Sequence, residues 1–524
     1  MKLRRWMKNI IRSKVQKDAF IYKYDKNNIL PKKTDSNSKK YYIILILILL
    51  FSFFLRLKFF IGAGGTGYGD DLIYSQTAYE LSKLNFDKFP IYINVSLRLM
   101  MVLPIAFFYS ILGVSDFSTS IYPLLCSLGT IILTFYLGKL LFNEKVGLMA
   151  SFFLSIIPLD VVFSTQLIPR VPLTFFMMLS IYSFLRTENS KNKKYNKLYL
   201  FFSGIFAGLG YLANEAGLLI IFVFIAYFIA YRKLKIKYIF ILFGFLIIFS
   251  IESIFFYTYT NDLFWRARIT NDILSKIGTN TDMLYYPRVL FAVKDFNFCN
   301  EGHFGLFFFF SIFSILYLLL VVRKSIKKME IFFLVLWYLF ILLYSEFGIM
   351  AVNFRPIEKW INYLIIILPP IMLLISYSLN VKGIFNRMKI PFFVLLILTS
   401  FYFLYNNYEC HKMFTEDFKL ICNFLKEQDK KTIYTDFESS GFLNLYFGYE
   451  REIKIIENTQ ENEITDSYVI INSSKGIAIQ NKKLIDNLPE FLKNPPGDWI
   501  LIKVISGSNI SIYSLFDPQI YYVP

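Results

Sequence analysis

Residues 41 to 71 read YYIILILILLFSFFLRLKFFI, then GAGGTGYG, then DD: an apolar run from Tyr41 to Ile61 leaves through a glycine-rich exit into Asp70 and Asp71. A bilayer core about 30 Å thick is crossed by about 20 apolar residues, and this run has that length. It follows a basic arm, residues 1 to 40, which holds thirteen Lys/Arg against three Asp, a net +10. With forty mostly polar residues ahead of it, the run reads as a retained anchor and not as a secretory leader. The arm is expected on the cytoplasmic side, because short basic segments flanking a span stay inside.

The whole chain repeats this character. Of 524 residues 56% are hydrophobic and only 18% charged, with 59 Phe and 37 Tyr, against roughly 45–50% apolar and 25% charged in soluble domains. Disorder, collagen and a disulfide scaffold are excluded. The net charge of +18 sits in the arm and in short loops between apolar runs, which reports topology and gives no reason to expect a nucleic-acid partner. Four cysteines without a C-x-x-C pair are expected to be free thiols.

Apolar runs that meet or approach spanning length lie at 41–61, 120–141, 146–163, 172–186, 199–213, 215–231, 238–257, 304–322, 331–350, 360–379 and 390–406. Basic loops at Arg186–Lys197, Arg232–Lys237, Arg323–Lys328 and Lys382–Lys389 are all expected inside, and an even number of runs separates each pair. A further run from Arg98 to Gly113 would break that parity; it is short and holds Pro104, so it is read as an interfacial or re-entrant helix. The fold class expected is a polytopic α-helical membrane protein of about eleven transmembrane helices. Two long outer loops result, 62–119 and 258–303. The domain reading is a basic cytoplasmic segment 1–40, a membrane module 41–406, and an extracytoplasmic α/β domain 407–524. In that last part Phe414, Phe418, Ile421 and Leu425 recur at helical spacing, followed by strand-like runs beginning at Thr432, Glu452, Ser467, Trp499 and Ile510.

The chemistry is expected where the acid pair stands. Glycines let the chain turn tightly on leaving the membrane. Asp70, Tyr74, Ala78 and Leu81 then share one helix face. Two adjacent carboxylates at a membrane surface repel each other, so either a helix cap or a general base near a phosphate-bearing substrate is expected there. The glycine run matches neither a P-loop nor G-x-G-x-x-G after a strand, and no H-e-x-x-H-type metal set occurs.

These residues resemble a known family. An Arg56-Leu57 pair closing the first span, an acidic pair, Tyr74 and Ala78 are similar to the first outer loop of the GT-C glycosyltransferases, in the protein O-mannosyltransferase and aminoarabinose transferase-like group. Further similarities follow in order at Leu141–Ser151 and Pro158, Ile168–Pro172, Gly208–Glu215, Glu252 with Asn261–Arg266, and Tyr363 with Pro369-Pro370. The resemblance covers roughly residues 41 to 380. It implies an inverting glycosyltransferase that moves a sugar from a polyprenyl-phosphate donor to a lipid, glycan or protein acceptor, at the outer face of the cell membrane. Asp70 would be the base and Asp71 its neighbour. Outer cations that would hold the leaving phosphate are Arg355 and Lys359 first, then Arg266, Arg268 and Arg170, and substrate contacts are expected from Tyr74, Arg288, Glu301 and His303. No cofactor is called for, and a divalent metal is left open. Two departures stand out: Arg170 takes a place where the family usually has an acid, and Asn214 one where Lys is common.

Two other classes compete. A transporter or flippase of lipid-linked saccharide would place ionisable residues at mid-membrane and often shows inverted repeats; the acids and arginines here gather at the outer ends of runs. A non-catalytic assembly subunit would explain the bundle but not the Asp70-Asp71 loop.

Overall fold

The computed structural model describes residues 37–66, 69–189, 195–276, 284–291, 303–321, 327–348, 357, 359–381, 387–456, 464–471, 495–505 and 519–524. The chain divides into two units, Met1–Leu47, described only as the start of its first helix, and Ile48–Pro524. The helices are α1 Asn37–Gly62, α2 Asp70–Ser82, α3 Leu99–Leu112, α4 Asp116–Leu141, α5 Glu144–Ile156, α6 Pro158–Phe163, α7 Arg170–Asn189, α8 Asn196–Ala213, α9 Ile220–Tyr231, α10 Ile239–Thr260, α11 Trp265–Lys276, α12 Tyr285–Phe291, α13 Phe307–Val321, α14 Lys328–Phe347, α15 Leu368–Asn380 and α16 Lys389–Lys426.

Six helical stretches are long and apolar enough to cross a membrane, by length and composition alone: Lys39–Gly62, Asp116–Leu141, Ile236–Thr260, Lys328–Phe347, Ile361–Asn380 and Lys389–Glu409. The expected run 172–186 lies in the 20-residue helix α7, which is not among these six. Leu99–Leu112, Glu215–Tyr231 and Phe307–Leu320 form shorter apolar helices. The run read as one span at 146–163 is interrupted, since Ile157 leaves the helical region and Pro158 starts a new helix at a position where its missing N–H costs nothing. Burial separates centre from periphery: the apolar window of Ile361–Asn380 is 83% buried, that of Ile236–Thr260 only 22%. The first is a core helix, and the second leaves most of its surface uncovered by the rest of the chain.

Local sequence explains the ends and contacts. Ser115 and Ser118 form a reciprocal capping box at the start of α4, and the Asn143 side chain accepts from the Val146 amide at the start of α5. Helices α8 and α10 touch through Gly204 and Gly244. A Cβ on Gly204 would lie 1.9 Å from the Ile241 carbonyl oxygen, and one on Gly244 2.1 Å from that of Phe201. Only glycine permits this approach, which fixes Glu252 of α10 near the end of α8.

The change in composition at residue 407 falls inside one continuous helix. Helix α16 has 38 residues, about 57 Å at 1.5 Å per residue, and its last turns pack on a five-stranded sheet. The strands are β1 Ile433–Thr435, β2 Ile453–Ile455, β3 Ser467–Ile471, β4 Ile500–Val504 and β5 Gln519–Val523, in the order β2-β1-β3-β5-β4. The β1–β2 and β1–β3 pairs are parallel, the β3–β5 and β4–β5 pairs antiparallel. Ile421, Cys422 and Leu425 of α16 join Ile433, Leu443, Tyr468, Ile470 and Ile520 on one face, while Tyr434, Val469, Trp499 and Val523 cluster on the other. The sequence reading found β1 to β4 and missed β5; the strand it expected from Ile510 lies outside the described residues. Cys126 and Cys422 are free and buried.

Candidate functional site

Helix α2 begins at Gly69, whose φ of 71° suits glycine, and no side chain caps its first turn. Asp70 and Asp71 therefore stand where the helix dipole favours negative charge, but they meet opposite fates. The Asp70 side chain is 61% exposed. Asp71 is buried at 3%, and its Oδ2 accepts the Leu167 amide at 3.3 Å. The buried residues of α2 are thus Asp71, Tyr74, Ser75, Thr77, Ala78 and Leu81, with Asp70 on the rim, one position off the face read from the sequence.

Behind Asp70 runs a chain of alternating charges. Arg98 lies 3.8 Å from the Asp70 carboxylate, donates to the Tyr74 hydroxyl at 2.5 Å, and reaches Glu215 Oε2 at 3.3 Å. Arg266 donates to Glu215 Oε1 at 2.9 and 3.1 Å, to Glu252 Oε1 at 2.5 Å and to the Tyr211 carbonyl at 3.0 Å. Asn214 caps the turn that carries Glu215, accepting the Ala216 amide at 3.0 Å and donating to Glu215 at 3.1 Å. Burial works against charge on Arg98, but Glu215 beside it outweighs this and holds the guanidinium above its ordinary pKa; Arg266 is raised in the same way by Glu215 and Glu252. Burial also pushes the Tyr74 phenol up, against the pull of Arg98. Tyr74, expected as a substrate contact, is fully buried and serves as a support for Arg98.

The expected phosphate cations are spread over several environments. Lys359 donates to Glu346 at 2.6 Å, each side chain 3% exposed, and Glu346 also accepts the amides of Leu284, Tyr285 and Tyr286. Arg268 is exposed and pairs with Asp262 at 2.9 Å. Arg288 is exposed on α12. Arg170 is 8% exposed and lies with its guanidinium carbon 3.8 Å over the Tyr363 ring. His303 is buried at 1%, 6.5 Å ring to ring from His411, the chain's only other histidine. Arg355 and Glu301 fall outside the described residues. Among the described residues no group of three His, Cys, Asp or Glu could hold a metal ion.

Three side chains that build this region escaped the sequence reading. Arg98 looked like the polar boundary of an apolar run, and nothing local ties it to Glu215. Asp116 accepts the Thr66 amide at 2.8 Å and pairs with Lys419 of α16 at 3.5 Å, fastening the glycine-rich exit to α4 and α16. Arg56, noted only as part of the Arg-Leu pair, is wholly buried against Asp160. Over α2 lies the sheet-bearing part of the chain: Tyr449 stacks on Tyr79 with centroids 4.5 Å apart and its hydroxyl stands 3.0 Å from Ser75 Oγ, which in turn meets Tyr109 at 2.8 Å.

Known proteins bear on this arrangement. Residues 99–255 match the family model described as dolichyl-phosphate-mannose-protein mannosyltransferase. A search of curated proteins gave no match. Among solved structures, ArnT from Cupriavidus metallidurans in the apo state is similar with a TM-score of 0.56 at 11% identity, covering 93% of this chain and 98% of that one. The same protein bound to undecaprenyl phosphate gives 0.56 at 9% identity with the same coverage. The oligosaccharyltransferase of Archaeoglobus fulgidus gives 0.49 at 12% identity over 84% of this chain and 70% of its own. Helix order and the likeness to the two ArnT structures agree: the chain is a polytopic helical membrane protein of GT-C fold, aminoarabinose transferase-like in architecture.

Proposed function

We propose that the protein is an inverting glycosyltransferase that moves a sugar from a polyprenyl-phosphate donor to a lipid, glycan or protein acceptor at the outer membrane face. The observation that carries this reading is the division of labour in the acid pair. Asp71 is buried and spent on a backbone amide, while Asp70 stands exposed at the mouth of a buried charge chain. A carboxylate so placed can take the proton of an acceptor hydroxyl as its oxygen attacks the anomeric carbon. The bond from that carbon to the donor phosphate breaks, and the electron pair leaves on phosphate, already a stable anion. Cations that hold this anion matter more than an acid to protonate it. In the same reading the basic arm and basic loops lie in the cytoplasm, α3 rests along the outer surface, and the sheet covers the site from outside. Helix α3 has fourteen residues, about 21 Å, which is short of a bilayer core.

The test is Asp70→Asn in reconstituted vesicles given a polyprenyl-phosphate sugar. Loss of a positioned base costs about 10²- to 10⁴-fold in turnover, with donor binding kept, because the change removes charge and not shape. Normal turnover in this variant removes the first outer loop as the active site. An inactive Asp71→Asn beside an active Asp70→Asn exchanges the two roles.

A further inference from the structure

Five basic side chains are buried among the described residues: Arg56, Arg98, Arg170, Arg266 and Lys359. Four have a carboxylate in contact. Arg56 pairs with Asp160, Arg98 with Glu215, Arg266 with Glu215 and Glu252, and Lys359 with Glu346. Arg170 has no such partner among the described residues, and its buried Nε makes no hydrogen bond. What it has is the face of Tyr363 at 3.8 Å. A cation–π contact offsets only part of what it costs to bury an ion without a counter-charge. Stacking on Tyr363 holds the guanidinium flat and leaves its donor edge unanswered.

The surroundings give this edge a direction. Arg170 starts α7, three residues after Leu167, whose amide grips Asp71. Three residues reach at most about 11 Å, so one short stretch of chain holds the acid pair at one end and the unanswered cation at the other. Tyr363 belongs to the turn that follows Lys359 and Trp360, and the Trp360 carbonyl accepts the Tyr286 hydroxyl at 3.1 Å. Both walls are thus fixed by their own bonds, and the neighbouring Lys359 is engaged by Glu346.

We infer that Arg170 is the seat of a phosphate-type oxyanion carried on a lipid, the leaving group of the proposed donor. The inference rests on the glycosyltransferase reading for its ligand and on the geometry for its residue. Arg suits this task because its fork meets two oxygens of one phosphate. For the other four buried cations a phosphate would first have to displace a carboxylate; at Arg170 it supplies the missing counter-charge.

The experiment uses the full-length protein and its Arg170→Met variant in nanodiscs, with thermal unfolding and direct binding of undecaprenyl phosphate as readouts. Met matches the length of the stem without the charge. The expected result is an unliganded variant that unfolds at the wild-type temperature or above, since an uncompensated buried charge has gone. Its affinity for undecaprenyl phosphate should fall by about 10- to 150-fold, matching the 1.5–3 kcal/mol of hydrogen bonds to a charged group. Inorganic phosphate should raise the wild-type unfolding temperature slightly and leave the variant unmoved. A variant that is destabilised or fails to fold shows a structural cation and overturns the inference, as does unchanged affinity for undecaprenyl phosphate. An equal response to phosphatidylglycerol assigns the seat to bulk lipid headgroups and overturns the donor assignment. Loss of undecaprenyl phosphate binding in Arg170→Met together with no sugar transfer by the wild-type protein from a polyprenyl-phosphate sugar leaves the seat standing and removes the glycosyl-transfer reading instead.

Discussion

Two buried charge clusters, one around Arg56 and one around Arg98, are built to opposite plans. Around Arg56 the count closes: one guanidinium, one carboxylate from Asp160, and Ser52, Ser127 and Ser155 supplying oxygens to the remaining donors. Ser127 also donates to Asp160 at 2.5 Å. Around Arg98 the count stays open, with three acids, Asp70, Glu215 and Glu252, against two bases, Arg98 and Arg266. The surplus negative charge sits at the exposed end, on Asp70. A closed cluster far from water holds helices together, whereas an open one delivers a carboxylate to a surface.

The comparison breaks most easily at Arg56. Removing one partner of a buried pair strands the other, so Arg56→Ala should cost about 3–5 kcal/mol of stability, read by thermal or denaturant unfolding in detergent. Replacing Arg56 and Asp160 together by Met and Leu should recover most of that loss. Asp70→Asn, at an exposed site, should shift stability by less than about 0.5 kcal/mol while turnover collapses. Equal destabilisation by Arg56→Ala and Asp70→Asn would erase the distinction between the clusters.

A smaller effect follows from His411, beyond the last span. Burial and the nearby His303 lower its pKa to about 3 from the ordinary 6.5, and its Nδ1 faces the Gln166 amide at 3.1 Å. The folded protein keeps this ring neutral while the unfolded chain protonates it below pH 6.5. Stability is therefore undiminished above that value and falls as pH drops toward 3, by up to about 1.4 kcal/mol per unit. Unfolding at pH 5.5 and 7.5 should separate wild type from His411→Gln, the variant losing less on acidification. Identical pH slopes would show that His411 is solvated in both states.

Much of the fold was legible because membrane physics writes it in composition. The apolar runs, the basic loops and the shift toward alternating strands are local signals, and the glycine-rich exit into two acids marked α2 as the place to look. What stayed hidden is non-local. Arg98 and Glu215 are 117 residues apart, and Arg56 and Asp160 are 104, so one sequence carries no sign that they meet. Which acid of the pair turns inward depends on the Leu167 amide, a contact that helix periodicity does not contain. The ranking of phosphate cations suffered in the same way: Lys359 looked available at the head of its helix until Glu346 closed on it, and Arg170, at an unusual position for a cation, is the one without a carboxylate among the described residues.

The smallest effect tests whether the sheet-bearing region takes part in the open cluster's plan. Its contact with α2 is made by Tyr449 against Tyr79 and Ser75, and by Gly441, where a Cβ would stand 2.7 Å from Leu72. Tyr449→Phe keeps the stacked ring and removes one hydroxyl, which should cost about 0.5–1.5 kcal/mol. Gly441→Ala asks for space beside Leu72, two residues from Asp70, and should disturb the acid pair as well as the packing. If the region merely covers α2, both variants lower stability and leave turnover per folded molecule unchanged. If it sets the position of the acid pair, Gly441→Ala lowers turnover beyond its loss of stability while Tyr449→Phe does not. The two readouts then assign the sheet to the closed plan, which holds, or to the open one, which aims.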